Sequence, residues 1–130
     1  MRNMAEAATV EAVAAAIGDP VRARILDLLA QGRRTPCCSP TNPDAPRAVC
    51  ACDIRGALGG MAPSKLAYHL KLLRRSGLVR EARRGKWVYY TLAADAFSAF
   101  REAVAARWPG AARGGVRGRR RSRRAGPLSG

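Results

Sequence analysis

The stretch that decides the fold reads CDIRGALGG (52–60), PSKLAYHLKLLRRSG (63–77) and LVREARRGKWVYYTL (78–92). The first part predicts a short helix that ends at a Gly-Gly turn, and the second predicts a helix that starts at Pro63. Leucines at helical spacing give this second helix a buried stripe of Leu66, Leu70 and Leu73. In the third part, two β-rich runs flank a basic turn, 83–86, that contains glycine, which predicts a hairpin.

A short helix, a turn and a second helix followed by a hairpin are typical of a winged helix-turn-helix. Helices are also expected on both sides of this unit, at 5–17, from Asp19 to Gly32, and at 94–107. The predicted fold class is therefore mainly α with a β-hairpin wing, and we expect the protein to be dimeric.

Residues 33–49 contain four of the eight prolines of the chain, so we expect a loop without regular structure there. This loop is longer than an ordinary connection, by roughly a dozen residues, which marks it as an insertion. It carries Cys37 and Cys38, and Cys50 and Cys52 follow directly after it. In a reducing compartment, four cysteines suggest metal or redox chemistry more than a disulfide framework.

The chain has 130 residues and a formal net charge of +15, which allows one domain, predicted at 7–108, and a basic disordered tail at 109–130. Eight basic residues and a single glutamate lie between Lys65 and Lys86, and seven arginines and no acidic residue follow Pro109. Two basic patches on a nearly neutral body indicate a polyanion partner, double-stranded DNA being the first choice. A solvated charged face is the alternative.

Several classes of protein become improbable at this point. The chain has one histidine, which disfavours acid–base enzymes and His-rich zinc sites. It lacks an apolar run of the length that a membrane span needs, so we expect no membrane partner. The N-terminus carries an acidic residue early and does not resemble a secretory signal, so we expect a cytoplasmic protein. With one histidine and no catalytic constellation, we also expect that the protein is not an enzyme.

The residues expected to face DNA lie outside the leucine stripe of the second helix and in the hairpin turn. They are Ser64, Lys65, Tyr68, His69, Lys71, Arg83, Arg84 and Lys86. Tyr68 and His69 have the alternative of packing against the wing. The aromatic residues Trp87, Tyr89 and Tyr90 are more typical of wing and core packing than of stacking on bases.

Three segments together resemble the ArsR/SmtB family of bacterial winged-helix repressors. They read GDPVRARIL (18–26), YHLKLLRRSGLV (68–79) and GKWVYY (85–90). The resemblance implies a homodimer that binds an operator and is released from it by metal ions or other stress signals. It also implies that the first and last helices form the dimer interface, although the same apolar stripes could close the core of a monomer.

The segment Cys50-Ala51-Cys52-Asp53-Ile54 is similar to the Cys-x-Cys-Asp-Leu motif of the arsenic-sensing branch of that family. The similarity implies that Cys50 and Cys52 are thiolate ligands for As(III), Sb(III) or another soft metal ion, which acts as inducer and not as a resident cofactor. Where that branch often has a third cysteine, this chain has Arg55. Our hypothesis is that Cys37 or Cys38 replaces the missing thiolate.

Other interpretations of the cysteines remain open. A dithiol switch that responds to oxidants or sulfide needs only two reactive thiols that can meet. Burial in the core and a structural zinc site fit less well, the latter because zinc ligands are usually spaced by two to four residues. A zinc, cobalt or nickel site of the family's other type is not expected, since the last helix has no histidine. A basic architectural protein without inducer is a further alternative.

Overall fold

The computed structural model describes residues 9–34 and 39–110. Its elements are α1 (Val10–Ile17), α2 (Pro20–Gln31), β1 (Val49–Cys50), α3 (Ala51–Ala57), α4 (Pro63–Arg75), β2 (Val79–Arg84), β3 (Trp87–Leu92) and α5 (Ala94–Arg107). The chain divides into two compact units, one that ends at Phe97 and one that starts at Ser98. The predicted fold class, mainly α with a β-hairpin wing, is confirmed.

Helices α3 and α4 form the predicted helix-turn-helix. Between them, Gly59 and Gly60 adopt φ angles of 82° and 81°, a left-handed conformation that glycine takes without steric cost. Pro63 occupies the start of α4, where its missing N–H leaves no helical hydrogen bond unmade. The predicted leucine stripe of α4 is buried, with Leu73 fully inaccessible to solvent.

The structure contains a strand that the sequence did not predict. β1 pairs antiparallel with β3, with Val49 opposite Tyr90 and Cys50 opposite Tyr89, so the sheet has the order β1-β3-β2. The expectation that 33–49 holds no regular element is therefore wrong at Val49. A two-residue strand has no periodicity to show in the sequence, and only its pairing with β3 defines it.

The hairpin is tighter than predicted. β2 continues through Arg83 and Arg84, which pair with Val88 and Trp87 of β3, so these arginines lie in the strand and not in the turn. The turn is reduced to Gly85 and Lys86. A two-residue hairpin turn needs a positive φ at its first residue, and Gly85 has a φ of 60°.

Helices α1 and α2 pack together and each contacts α4. Helix α1 begins at Val10, because Thr9 is extended and its hydroxyl accepts a hydrogen bond from the Ala12 N–H, and the first part of the predicted helix, 5–8, lies outside the described residues. Ile25 of α2 lies fully buried in the core of the first unit. Helix α5 matches the predicted 94–107, and no helix among the described residues is long and apolar enough to cross a membrane.

The described part of the proline-rich loop is held against the sheet. The Tyr89 hydroxyl donates a hydrogen bond to the Pro40 carbonyl, and Ala48 packs beside Cys50 and Tyr89 in a buried cluster. Residues 1–8, Cys37, Cys38 and 111–130 lie outside the described residues. The predicted domain limits and the basic tail therefore stay predictions.

Candidate metal centre and nucleic-acid interface

Cys50 and Cys52 come together where β1 leads into α3. Cys50 is the last residue of β1 and the N-cap of α3, and its side chain makes no capping hydrogen bond. It is buried, whereas Cys52, in the first turn of α3, is partly exposed. Both are reduced thiols, and their sulfur atoms lie 2.8 Å apart.

This arrangement suits a soft metal ion. A bond from a metal to a thiolate sulfur is about 2.3 Å long for zinc, so one ion can reach two sulfurs at this separation. Asp53 adds an oxygen, since its Oδ1 lies 4.0 Å from the Cys52 Sγ and the three ligand atoms fall within 4.8 Å of one another. Sequence reasoning did not name Asp53 as a ligand, although its place directly after Cys52 was a signal.

Arg55 stands in the place of the third family cysteine and stabilises the turn after α3. Its Nε donates a 2.7 Å hydrogen bond to the Met61 carbonyl across the turn between α3 and α4. The residues before and after 35–38 are linked by Arg33, whose guanidinium donates hydrogen bonds to the carbonyls of Ser39 and Pro40. The hypothesis that Cys37 or Cys38 supplies a third thiolate concerns residues outside the described ranges and stays a prediction.

Helix α4 exposes most of the residues expected to face DNA. Ser64, Lys65, Tyr68 and Lys71 lie on its outer surface, and Tyr68 is 57% exposed. The expectation that His69 lies on this surface is wrong, because His69 is only 6% exposed. Its position follows Leu66 by three residues and precedes Leu73 by four, so helical periodicity places it within the buried stripe.

His69 belongs to a polar cluster that joins three helices. Its Nδ1 lies 3.1 Å from Nη1 of Arg22, whose Nε donates a 2.7 Å hydrogen bond to the Ala16 carbonyl. Arginine can only donate hydrogen bonds, so the acceptor in this contact is His69 Nδ1. The same Nδ1 lies 3.9 Å from Asp19 Oδ2.

Asp19 completes this cluster as the N-cap of α2. Its carboxylate accepts hydrogen bonds from the backbone N–H groups of Val21 and Arg22. The bond from the Arg22 N–H, with the nearby Arg22 charge, lowers the pKa of Asp19 below its usual value, against the opposing effect of burial. Sequence reasoning found the cap but not its connection to His69.

The wing presents the remaining expected residues to solvent. Arg83, Arg84 and Lys86 are exposed, with Arg84 Nη1 3.0 Å from Asp44 Oδ2 and Lys86 Nζ 5.0 Å from the centre of the Trp87 ring. Tyr89 and Tyr90 are buried, which confirms that they pack inside the protein. Only the exposed side chains are available to a ligand as large as DNA.

The root of the wing is tied to the end of α4. The Tyr90 hydroxyl donates a 2.7 Å hydrogen bond to Glu81 Oε2, which lies 3.7 Å from Arg74 Nε. Burial, together with this acceptor, raises the pKa of Tyr90 above its usual value. The Tyr90–Glu81–Arg74 contacts link the wing to the end of α4.

Comparison with known proteins identifies the family. The chain is 48% identical over 44 residues to the arsenical resistance operon repressor of Escherichia coli, a match that covers 34% of this chain and 37% of that protein. It is 31% identical to an arsenic resistance transcriptional regulator of Pseudomonas putida, over 69% of this chain and 59% of that regulator. An uncharacterized HTH-type transcriptional regulator of Methanocaldococcus jannaschii is 30% identical, over 62% of this chain and 73% of that protein.

The chain belongs to the ArsR family of winged helix-turn-helix regulators. No protein-family model matches it. The crystal structure of an ArsR family transcriptional regulator aligns with a TM-score of 0.61 and 18% identity, over 87% of this chain and 98% of that one, which shows the shared fold. These relatives are named as a repressor and as transcriptional regulators, which agrees with the expectation that the chain is not an enzyme. The chain spans less than two thirds of the E. coli and P. putida relatives that it matches.

Proposed function

We propose that this ArsR-family chain is a dimeric repressor that binds an operator in double-stranded DNA and leaves it when Cys50 and Cys52 bind As(III), Sb(III) or another soft metal ion. The observation that carries the proposal is the pair of reduced thiols, 2.8 Å apart, at the head of the helix-turn-helix. Names of relatives that include arsenical and arsenic resistance support the choice of inducer. Because the partner is DNA, we place the protein in the cytoplasm.

The DNA interface consists of the exposed face of α4 and the wing. In a dimer with twofold symmetry, two α4 helices enter successive major grooves about 34–36 Å apart. Lys65 and Lys71 contact DNA from α4 together with Ser64 and Tyr68, and the cationic side chains of the wing contact phosphate groups beside the groove. We assign His69 no contact with DNA, because its ring is buried against Arg22.

The position of Cys50 supplies a route from the thiols to DNA. Its backbone pairs with Tyr89 in the central strand of the wing, and its next residue begins α3. A metal ion that draws the two sulfurs into its own coordination geometry therefore acts on the wing and on the helix-turn-helix together. A coupling free energy of about 1–3 kcal/mol is typical and lowers DNA affinity roughly 5–150-fold.

Arsenite binds three ligands, and we assign the third to Cys37 or Cys38. Arg55 stands where the family often has the third cysteine, and its side chain bonds the Met61 carbonyl in the turn after α3. Among the described residues, the candidate site therefore has two thiols and the Asp53 carboxylate, which supports a third thiol from elsewhere in the chain. X-ray absorption on the arsenite-bound protein should count three sulfurs around arsenic. Two sulfurs and one oxygen, with full induction in a Cys37→Ser/Cys38→Ser variant, would exclude the loop thiols.

The central experiment measures DNA binding and metal binding on the same reduced protein. A labelled inverted-repeat operator and a scrambled duplex are titrated with protein at physiological salt, then with arsenite. We expect preference for the operator and release by arsenite, together with a thiolate-to-metal absorption band. Equal affinity for both duplexes would favour a basic architectural protein instead.

A thiol redox switch is the second candidate, and the separation of the two sulfurs favours it as well. Oxidation of the dithiol to a disulfide transfers two electrons and two protons to an oxidant such as a peroxide. Release of the operator by peroxide or a persulfide, combined with no response to arsenite, would establish this function and exclude metal sensing.

The arginine-rich tail is proposed to add affinity without sequence preference. It holds seven arginines after Pro109, and each phosphate it neutralises steepens the log–log salt dependence by about 0.9. Deletion of the residues after Pro109 should weaken binding to operator and scrambled DNA by similar factors and flatten the salt dependence of both. A selective loss of operator binding would instead show that the tail reads sequence.

A further inference from the structure

A cavity of about 380 Å³ lies directly beside the thiol pair. The end of α2, β1 and α3 form its walls, which are apolar at Leu28, Val49, Ile54 and Ala57. Cys52 and Asp53 line it as well, so two residues of the candidate metal site border the same space. The buried Cys50 does not line this cavity, which places the opening on the Cys52 side of the pair.

This arrangement has a chemical consequence for trivalent arsenic, which forms three bonds. Inorganic arsenite needs a third donor from the protein or solvent when two thiolates have bound. A monosubstituted trivalent arsenical already carries a carbon group, so Cys50 and Cys52 satisfy it completely. The carbon group then needs an apolar space beside the sulfurs, and a cavity of about 150 Å³ with apolar walls is large enough for benzene.

We propose that the cavity lined by Leu28, Val49, Ile54 and Ala57 receives the organic group of a monosubstituted trivalent arsenical bound to Cys50 and Cys52. This proposal rests on the proposed function of the thiol pair. In the binding step, two As–O bonds of R–As(OH)₂ break and two As–S bonds form. The thiol protons leave with the hydroxides as two water molecules, the As–C bond stays intact and arsenic remains trivalent.

Phenylarsine oxide, which hydrates to the phenyl compound of this type, is a suitable probe. The full-length reduced protein is titrated with phenylarsine oxide and, separately, with arsenite, and unreacted thiols are counted at saturation. We expect phenylarsine oxide to consume two thiols and to bind a Cys37→Ser/Cys38→Ser variant as tightly as it binds the wild type. The same variant should bind arsenite more weakly.

Two substitutions narrow the cavity from residues that are not thiol ligands. Ala57→Phe adds a ring at the α3 wall, and Leu28→Trp enlarges a partly buried side chain at the α2 wall. Each should weaken phenylarsine oxide binding by roughly tenfold, since much of the apolar surface of the phenyl group then stays in water. Arsenite affinity should not change. Ala30→Phe, at an exposed residue of α2 outside the cavity, is the matched control and should leave both affinities unchanged.

The outcomes separate the cavity from the thiol site. If both arsenicals bind through Cys50 and Cys52 but the filling variants affect them equally or not at all, the cavity proposal is overturned and the thiol site stands. The cavity proposal is also overturned if loss of Cys37 and Cys38 abolishes phenylarsine oxide binding. If the wild type binds neither arsenical, the cavity proposal and the proposed function fail together.

Discussion

Asp19 and Cys50 occupy the same structural position, the residue before the first turn of a helix, and use their side chains differently. The Asp19 carboxylate accepts hydrogen bonds from two backbone N–H groups of α2 and lies beside Arg22 and His69. Cys50 makes no capping bond to α3, and its sulfur lies against that of Cys52 instead. One cap stabilises the fold, whereas the other leaves a soft ligand at a helix start.

Under the proposed function, this difference lets one chain combine a DNA-binding helix with a site that responds to an inducer. The Asp19 cluster positions α4 through contacts between residues that are far apart in sequence, Arg22 and His69 being separated by 47 positions. The Cys50 site depends on two residues that are nearly adjacent. Disrupting the Asp19 cluster should lower stability and operator affinity together. Disrupting the Cys50 site should affect only the response to the inducer.

The largest effect is expected for the Cys50→Ser/Cys52→Ser variant. Arsenite should no longer release the operator, so the whole coupling, roughly 5–150-fold in DNA affinity, is lost. Operator affinity without arsenite should be unchanged, because serine is a good N-cap and the thiol did not cap α3. Fluorescence anisotropy with and without arsenite measures both. Persistent release by arsenite would place the inducer site elsewhere.

His69→Leu should come next. The substitution leaves Nη1 of the partly buried Arg22 guanidinium without its acceptor, although Nε keeps its bond to the Ala16 carbonyl, and this loss costs about 1–3 kcal/mol of unfolding free energy. Operator affinity should fall, since α4 loses its link to α1 and α2. His69→Asn can place an oxygen near the position of Nδ1, so it should restore much of the unfolding free energy and much of the operator affinity. Urea unfolding and operator titration test this, and a His69→Leu protein as stable as the wild type would contradict the role of the cluster.

Asp19→Ala should lower the melting temperature at neutral pH by removing the cap of α2. The folded pKa of Asp19 is lowered from 3.8, so its contribution is present above that value and is lost as the pH falls through the folded pKa. The difference from the wild type should therefore shrink in acid. Asp19→Asn keeps a neutral cap and serves as the control. Thermal melts from neutral to acidic pH measure the trend, and a difference that does not depend on pH would show that the carboxylate charge has no part in it.

The smallest effect is expected at Thr9, the cap of α1. Its hydroxyl accepts a 3.1 Å hydrogen bond from the Ala12 N–H at an exposed position. Thr9→Ala should lower the unfolding free energy by about 0.5–1 kcal/mol, whereas Thr9→Ser should have almost no effect. Neither should change the response to arsenite. A larger loss than that of Asp19→Ala would reverse the ranking of the caps.

The sequence predicted the helix-turn-helix, the hairpin and the cysteine pair because each is a local pattern. Leu66, Leu70 and Leu73 indicate the buried side of α4 through periodicity alone. His69 was assigned to the wrong surface because it was classed by its polarity and not by its place in the same period. The limits of the wing turn were missed because basic residues occur in strands and turns alike, and only pairing with β3 separates Arg84 from Gly85.

By itself, therefore, the sequence determined the order of the elements, which follows from periodicity along the chain. It also indicated the family and the thiol ligands at 50 and 52, which its motifs imply by resemblance. The tertiary structure decided three further features: the acceptor for Arg22, the strand that connects Cys50 to the wing, and the apolar cavity beside Cys52. Each is made by groups from separate elements. Such contacts depend on how helices and strands pack, and no local pattern encodes that packing.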